Sequence, residues 1–567
     1  MLRLSPSHGI LYTIMGNLKV KLVSPLEKVF LDREPFLIAE AADMVVLKGE
    51  VLSFQIAYTT GEGSNVFGMI DVSSGIGEKV RIRKAAMIPA VYPAPVNCDD
   101  DYISTAPGLF PDLLEELSGG NIPLLAGKWI GLWVDVSIDE KTPAGTYGIE
   151  FIISEKFSGQ KLASINADVK VLDAVLPKQK LIHTEWFHTD CLADYYDVDV
   201  FGEEHWRITG NFIEEYVKHG INMILTPLFT PPLDTGIGLE RTTVQLIDVA
   251  VSGGEYTFGF DKLERWVGLC REKGVEYFEM SHLYSQWGAK YAPKIMATVD
   301  GTYKKIFGWD TAAVSEEYKK FLRAFLPRLT EKLREMGIAG QSYFHISDEP
   351  SLSQLEGYKS AKEQIAEMLD GFHIIDALSN FEFYKTGAVP KPIPSTDHAR
   401  QFFEAGIEGL WTYYCGAGGR GVSSRLMAMP SCRNRVLAVQ LYKYNIEGFL
   451  HWGFNFYNSQ HSIRQINPFY DTGSGYAFVS GDAYLVYPGK GGTPLGSIRL
   501  MVFFHAMQDL RAYALLESLE GRERVMAIIE DALSEPIGFA EYPREPDYLI
   551  GLRRRLYAEI NNLILKG

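Results

Sequence analysis

Ser342-Tyr343-Phe344-His345-Ile346-Ser347-Asp348-Glu349-Pro350 is a short β-forming run that closes on two carboxylates and a proline. Aromatic and β-branched residues favour a strand over Ser342–Ser347, and Pro350 has no N–H to give a ladder, so the strand ends there. Helical patterning flanks it, over Ser315–Met336 before and Leu355–Leu369 after. Parallel strands need such crossovers, so helix–strand–helix points to a parallel sheet. The same rhythm repeats outward. Further candidate strands are Leu181–His188, Asn222–Leu228, Glu276–Leu283, His373–Leu378, Pro392–Thr396, Gly409–Cys415 and Gly448–Asn455, and Ser342–Ser347 is the fourth in chain order. Helices are expected between them, such as Phe212–His219, Asp261–Lys273 and Cys432–Tyr444. Eight strands over roughly 280 residues fit a (β/α)8 TIM-type barrel, whose usual size is ~250 residues. A doubly wound sheet shares the alternation and is the alternative; the count favours the barrel.

Upstream the pattern changes to short strands parted by turns. Val51–Tyr58, Trp129–Val136, Thr146–Ser154 and Ile165–Leu172 read as strands, with turn chemistry at Pro143-Ala144-Gly145. This is an all-β sandwich, expected over residues 17–176. A boundary is expected at Leu176-Pro177-Lys178-Gln179-Lys180, and the barrel over 177–516. Ser497–Leu519, Arg522–Leu533 and Asp547–Leu565 are helical; they read as the closing barrel helix and a C-terminal helical extension over 517–567.

Composition narrows the partners. Lys and Arg total 55 against 71 Asp and Glu, a net charge of −16. Nucleic acid and anionic membrane surfaces call for a basic stripe, so both are disfavoured and a neutral substrate is the simplest inference. The five cysteines never form a C-x-x-C pair, which indicates neither a disulfide framework nor structural zinc. The apolar stretch Gly9–Met15 is broken by polar residues and lacks a small-x-small cleavage site, so the expectation is a cytoplasmic protein. Aromatics make up 12% of the chain, a surplus that suits sugar binding.

In a barrel the active site gathers at the C-terminal ends of the strands. Those ends carry His183, Glu185, Trp186 and His188 on strand 1, His282 on strand 3, and His345 with Asp348 and Glu349 on strand 4. Asn380 follows strand 5, Trp411, Tyr413 and Tyr414 sit on strand 7, and Trp452 and Asn455 on strand 8. Polar and aromatic groups converge there as in a sugar pocket. Asp348-Glu349 is the sharpest feature, because glycoside hydrolysis needs a carboxylic acid at the leaving oxygen and negative charge at the anomeric centre. Two ordinary catalytic carboxylates come from different strands, ~5–9.5 Å apart. Immediate neighbours suit another arrangement: the substrate's own 2-acetamido oxygen attacks, Glu349 is acid and base, and Asp348 holds the acetamido N–H. Pro350 would bias Glu349 towards an extended backbone. The bland alternative is that Asp-Glu-Pro merely caps the next helix.

Trp452 would stack a sugar ring, and one of Tyr413 and Tyr414 would meet the acetamido oxygen, since alternation turns only one inward. The histidines lack any H-E-x-x-H spacing, so no metal or other cofactor is expected. Gly416–Gly421 matches G-x-G-x-x-G but lies at strand 7, where an active-site loop is the better reading; Tyr487–Gly492 lacks phosphate-loop spacing.

With these residues in view, the chain resembles glycoside hydrolase family 123 and its wider group over nearly its whole length. The resemblance rests on Trp133-Val-Asp135-Val with Pro143–Tyr147, Thr226–Pro231 running on to Thr235, and His345–Pro350. It also rests on Gly448–Gly453 and on Tyr487–Gly489 preceding Ser497–Arg499. It implies an exo-acting, retaining β-N-acetylgalactosaminidase using substrate-assisted catalysis, with Asp348 orienting the acetamido group and Glu349 as acid/base. Glycans ending in β-N-acetylgalactosamine would be the partners, and the reading leaves room for a homodimer. The helix around Phe503–Leu516 departs from the relatives' Arg-rich, Gly-containing form. A β-hexosaminidase preferring GlcNAc or a modified hexosamine is the near alternative. A non-catalytic glycan-binding protein and a metal-dependent hydrolase using the histidines are the distant ones.

Overall fold

The computed structural model describes residues 10–14, 17–61, 66–416, 420–531 and 533–566. Residues 417–419, within the Gly416–Gly421 loop, and Gly9 and Met15 of the N-terminal stretch lie outside the described residues. The chain forms two compact units. One gathers Met1–Gln179, Ser423–Lys443 and Leu495–Gly567; the other comprises Lys180–Val422 and Tyr444–Pro494.

The first unit is sheet-rich. One sheet runs Leu18–Val23, Val51–Thr60, Ile130–Ser137, Val80–Ala90 and Gly108–Glu116, with antiparallel neighbours throughout. A second contains Lys161–Val175, Gly145–Glu155 and Val66–Ser74. Leu22, Phe54, Ile56, Leu132 and Val134 of the first share a single core with Phe151, Ile153, Ile165 and Val169 of the second. Period-two alternation along each strand puts these residues on one face. The same unit holds the helices Ser431–Arg435, Leu437–Lys443, Ile498–Glu520, Arg522–Ile529 and Pro546–Lys566. Their buried cations are paired within the unit. Arg499 grips Asp112 through two bonds of 2.8 and 2.9 Å, Arg433 grips Asp99 at 2.7 and 3.0 Å, and Arg435 grips Asp509 at 2.7 and 2.9 Å.

The second unit mixes strand and helix. Its parallel strands are β1 (Ile182–Glu185), β2 (Met223–Thr226), β3 (Tyr277–Met280), β4 (Ser342–Phe344), β5 (His373–Ile374 with Asp376–Ala377), β6 (Pro392–Ile393), β7 (Trp411–Tyr413) and β8 (Gly448–His451). Seven of these form one sheet in the order β5, β4, β3, β2, β1, β8, β7. Asp376–Ala377 pairs in parallel with β6, and Ser395 bridges in parallel to Tyr413. All eight fall inside the segments expected from sequence. Helices Glu203–Lys218, Asp261–Lys273, Glu316–Glu335 and Leu355–Glu363 stand between them. At the β7–β8 contact there is no room for a side chain: a Cβ on Gly448 would lie 2.1 Å from the Trp411 ring.

A four-stranded sheet of Asp248–Ser252, Glu255–Gly259, Ile295–Val299 and Thr302–Phe307 was not foreseen. It consists of two hairpins, turned by Gly253-Gly254 and Asp300-Gly301, all four with positive φ. Two-residue turns of this composition are the usual hairpin signal. No helix among the described residues is long and apolar enough to cross a membrane.

Candidate active site

A cavity of about 180 Å³ opens in the second unit, and Asp348, Glu349, Trp186, His188, Tyr413 and Trp452 are all in its wall. Leu233, Asp234, Gln286, Trp287, Ala377, Leu450, Phe456 and Asp482 also line it. The strands deliver these groups at their C-terminal ends, where the ladder stops and side chains of neighbouring positions can share one space.

The carboxylate pair is held by its backbone. The Asp348 carbonyl accepts the Trp287 N–H at 2.8 Å, and the Glu349 N–H donates to the Ala377 carbonyl at 3.0 Å. Glu349 has φ +40°, in the left-handed region and not the extended conformation that Pro350 favours. That turn is what lets adjacent residues both line the cavity. A non-glycine residue there is uncommon and costs free energy that surrounding contacts must offset. The helix-cap reading of Asp-Glu-Pro does not hold, because Ser351 is the N-cap of the following turn and forms a capping box with Gln354.

Tyr413 settles the choice left by the sequence: its hydroxyl donates to Glu349 Oε1. Burial and the neighbouring Glu349 push its phenol far above the usual range, so it stays a proton donor. Tyr414 turns the other way and packs on Phe449 and His451. Asp348 is half-buried. Burial and the Glu349 charge raise its pKa well above the usual carboxylate range, and His345 opposes the rise.

Beneath the pair lies a buried polar chain. Glu279 accepts the Trp186 indole N–H at 2.7 Å, the Thr184 hydroxyl, and His345 Nε2 at 2.6 Å. His345 Nδ1 stands 3.3 Å from Asp376 Oδ1, and Asp376 also takes the backbone N–H groups of Ile346 and Ser347 and the Tyr358 hydroxyl. Burial works against a charge on His345, but the bonds to Asp376 and Glu279 raise its pKa to about 10, so it is an imidazolium. Asp376 thus ties the end of β4 to β5 just before the catalytic candidates.

The other expected residues separate into those that line the cavity and those that do not. His188 is in the wall, yet Arg241 donates to its Nδ1 at 3.1 Å and its Nε2 faces the Trp452 carbonyl at 2.9 Å. Burial and the adjacent Arg241 lower its pKa to about 3, leaving a neutral ring that offers a ligand surface and no free nitrogen. Asn455 lies outside the wall and clasps the His188 backbone through two bonds of 2.8 and 3.1 Å. Trp452 is half-buried, with its N–H on Asp482 at 3.1 Å. His282 and His345 stack behind the wall, rings 4.3 Å apart. Trp411 is in the strand core with Leu450 and Ile393, and Asn380 caps Glu382 at 3.0 Å. Tyr414 is kept from the cavity by strand alternation; Trp411 shares the Tyr413 face but lies two residues earlier on β7, packed in the strand core; Asn380 is held off by its turn, and His282, His345 and Asn455 lie outside the wall.

Arg241 was missed. It is fully buried, bonds both oxygens of Asp190 at 2.6 and 2.7 Å, and donates to the Leu233 carbonyl at 3.0 Å. It fixes two residues of the cavity wall at once, and it sits in a loop without periodicity. His282, His345 and Asp376 bring ligand-type atoms within 4.8 Å of one another. They do not fit a metal as placed: both His345 nitrogens already face carboxylates, and in stacked rings the lone pairs run side by side and do not converge.

Comparisons with known proteins identify the family. The catalytic domain of glycoside hydrolase 123 matches residues 186–516. Among solved structures, a family 123 glycoside hydrolase from Clostridium perfringens, described for glycolipid glycan hydrolysis, is 17% identical with a TM-score of 0.73. The match covers 97% of this chain and 100% of that one. A β-glucuronidase from Ruminococcus gnavus is 9% identical over 80% of this chain and 66% of that one, with a TM-score of 0.32, too slight a likeness to bear on the fold. Curated protein sequences gave no match. With the family's catalytic domain spanning more than half of its length, the chain belongs to glycoside hydrolase family 123.

Proposed function

We propose that the protein is an exo-acting, retaining β-N-acetylgalactosaminidase whose β1–β8 strands close as a (β/α)8 barrel behind an N-terminal β-sandwich. The observation that carries the mechanism is the sharing of one cavity by the adjacent Asp348 and Glu349. Two other carboxylates line that cavity, and both are engaged. Asp482 holds the Trp452 indole, and Asp234 accepts the His461 backbone N–H at 3.0 Å. Asp348 and Glu349 are immediate neighbours and do not face each other from separate strands, which favours attack from within the substrate.

Glu349, protonated, gives its proton to the glycosidic oxygen as the bond to the anomeric carbon breaks. The substrate's acetamido oxygen closes on that carbon from the other face, forming an oxazolinium. Asp348 accepts the acetamido N–H and faces the positive charge that develops there. Its charge is disfavoured by its surroundings and by Glu349 and is offset as the oxazolinium forms, the kind of interaction that is stronger in the transition state than in the ground state. The aglycone alcohol leaves. Glu349, now a carboxylate, takes a proton from water, which attacks the anomeric carbon and reopens the ring with retention. Tyr413, whose hydroxyl donates to Glu349, turns to the acetamido oxygen when substrate binds. Trp452 and Trp186 supply ring surface for the sugar.

The test is a panel of aryl N-acetylhexosaminides with the purified protein. Turnover of the β-GalNAc glycoside above its 4-epimer is expected, with inhibition by an oxazoline-mimicking thiazoline. Glu349→Gln should lower kcat by ~10²–10⁴-fold, the usual weight of a general acid, and Asp348→Asn should be comparably impaired. Wild-type rates in Glu349→Gln would refute the assignment, and a preference for the GlcNAc epimer would move the specificity to a β-hexosaminidase.

A further inference from the structure

Trp287 is 38% exposed although it lines the cavity, and of the aromatic residues in that wall it is the one classed with the exposed residues. Glu349 is exposed as well, whereas Trp186, Leu450, Ala377 and Tyr413 are buried. Trp287 and Glu349 therefore mark the mouth of the cavity, and the buried residues mark its floor.

The indole is held at that mouth at some cost. Trp287 has φ +57°, a left-handed conformation that a bulky side chain rarely adopts, and Gly288 and Ala289 follow at +105° and +53°. The turn is stitched to the strand end that bears the carboxylates. Trp287 donates to the Asp348 carbonyl at 2.8 Å, and Gly288 and Ala289 donate to Ser347 Oγ at 3.2 and 3.0 Å. Gln354 bonds the Trp287 carbonyl, and a Cβ on Gly288 would come within 2.5 Å of the Gln354 side chain. The His461 ring stands at 90° to the indole with ring centres 6.0 Å apart. Two strained residues flank a glycine to hold a tryptophan that stays 38% exposed, so the indole gains little by burial there. Strain of this kind persists where a site needs a side chain in one place.

We propose that Trp287 is the platform for the leaving group: the ring attached through the oxygen that Glu349 protonates stacks on its indole, so this residue sets aglycone preference. The inference rests on the exo-glycosidase reading above. With the terminal sugar at the buried floor, the remainder of the substrate must pass Glu349 towards solvent, which takes it across Trp287. A flat apolar face beside C–H groups of a sugar is a favourable contact. Because the turn is bonded to Ser347 and Asp348, platform and acid keep a fixed relation.

The experiment compares wild type, Trp287→Ala and Trp287→Phe in the full chain on two donors. One is a disaccharide ending in β-linked N-acetylgalactosamine; the other is β-N-acetylgalactosaminyl fluoride, whose leaving group is one atom with no ring to stack. Trp287→Ala should lower the ratio of kcat/KM on disaccharide to kcat/KM on fluoride about tenfold, and Trp287→Phe should restore most of it. Equal losses on both donors, or an unchanged ratio, would overturn the platform while leaving the glycosidase reading intact. A wild-type protein that turned over neither donor would overturn both.

Discussion

Replacing His345 with glutamine removes the imidazolium held between Glu279 and Asp376, and the effect on stability can be worked out with its pH dependence. The bonds to the two carboxylates overcome burial and raise the His345 pKa to about 10, against 6.5 for the free side chain. The folded state thus binds this proton more tightly than the unfolded chain. The resulting stabilisation is complete below pH 6.5, declines between 6.5 and 10, and is gone above that range. At about 1.4 kcal/mol per pH unit it amounts to ~5 kcal/mol, an order-of-magnitude figure. Wild type should therefore exceed His345→Gln by a margin that shrinks as pH rises through this window, while titrating groups that do not interact with His345 cancel in the comparison. Urea titrations read by hydrogen-exchange mass spectrometry on peptides from β4 would report this unit apart from the other. A margin that stays constant from pH 6.5 to 10 would refute a charged His345 and the clamp built on it.

Two further outcomes follow from the same geometry. Tyr413→Phe deletes a hydroxyl that donates to Glu349 and meets the acetamido oxygen as charge develops on it, an interaction worth ~1.5–3 kcal/mol, so kcat/KM should fall roughly 10–100-fold. Arg241→Met leaves the buried Asp190 without its bidentate partner; chemical denaturation should show a loss of ~3–5 kcal/mol, together with weaker substrate binding as His188 and Leu233 lose their anchor.

Much of the second unit was legible because its determinants are local. Each of the eight parallel strands is a short apolar or β-branched run bounded by helical patterning, and chain order alone put Asp348 and Glu349 at the end of the fourth. Alternation along β7 limited the choice between Tyr413 and Tyr414 to one, but which one depends on the register against β8, a non-local fact. The residues that were missed answer to three-dimensional neighbours. Glu279 lies inside a strand, where a carboxylate has no visible purpose until Trp186, Thr184 and His345 converge on it. Arg241 sits among threonines in a loop and becomes meaningful only beside Asp190. The left-handed turn at Glu349 reverses the expectation from Pro350, since bonds from Trp287 to Asp348 and from Glu349 to Ala377 outweigh the local preference. The hairpins at Gly253-Gly254 and Asp300-Gly301 had a local signal that was passed over.

The first unit draws Ser423–Lys443 and Leu495–Gly567 back to join Met1–Gln179. A gene fragment encoding only residues 177–516 would carry Arg499 without Asp112 and Arg433 without Asp99, two guanidiniums stripped of the carboxylates that neutralise them. Deleting the N-terminal sheets would leave the same orphans. Exchanging the sheet-rich segment for another module therefore calls for replacing those arginines in the same step.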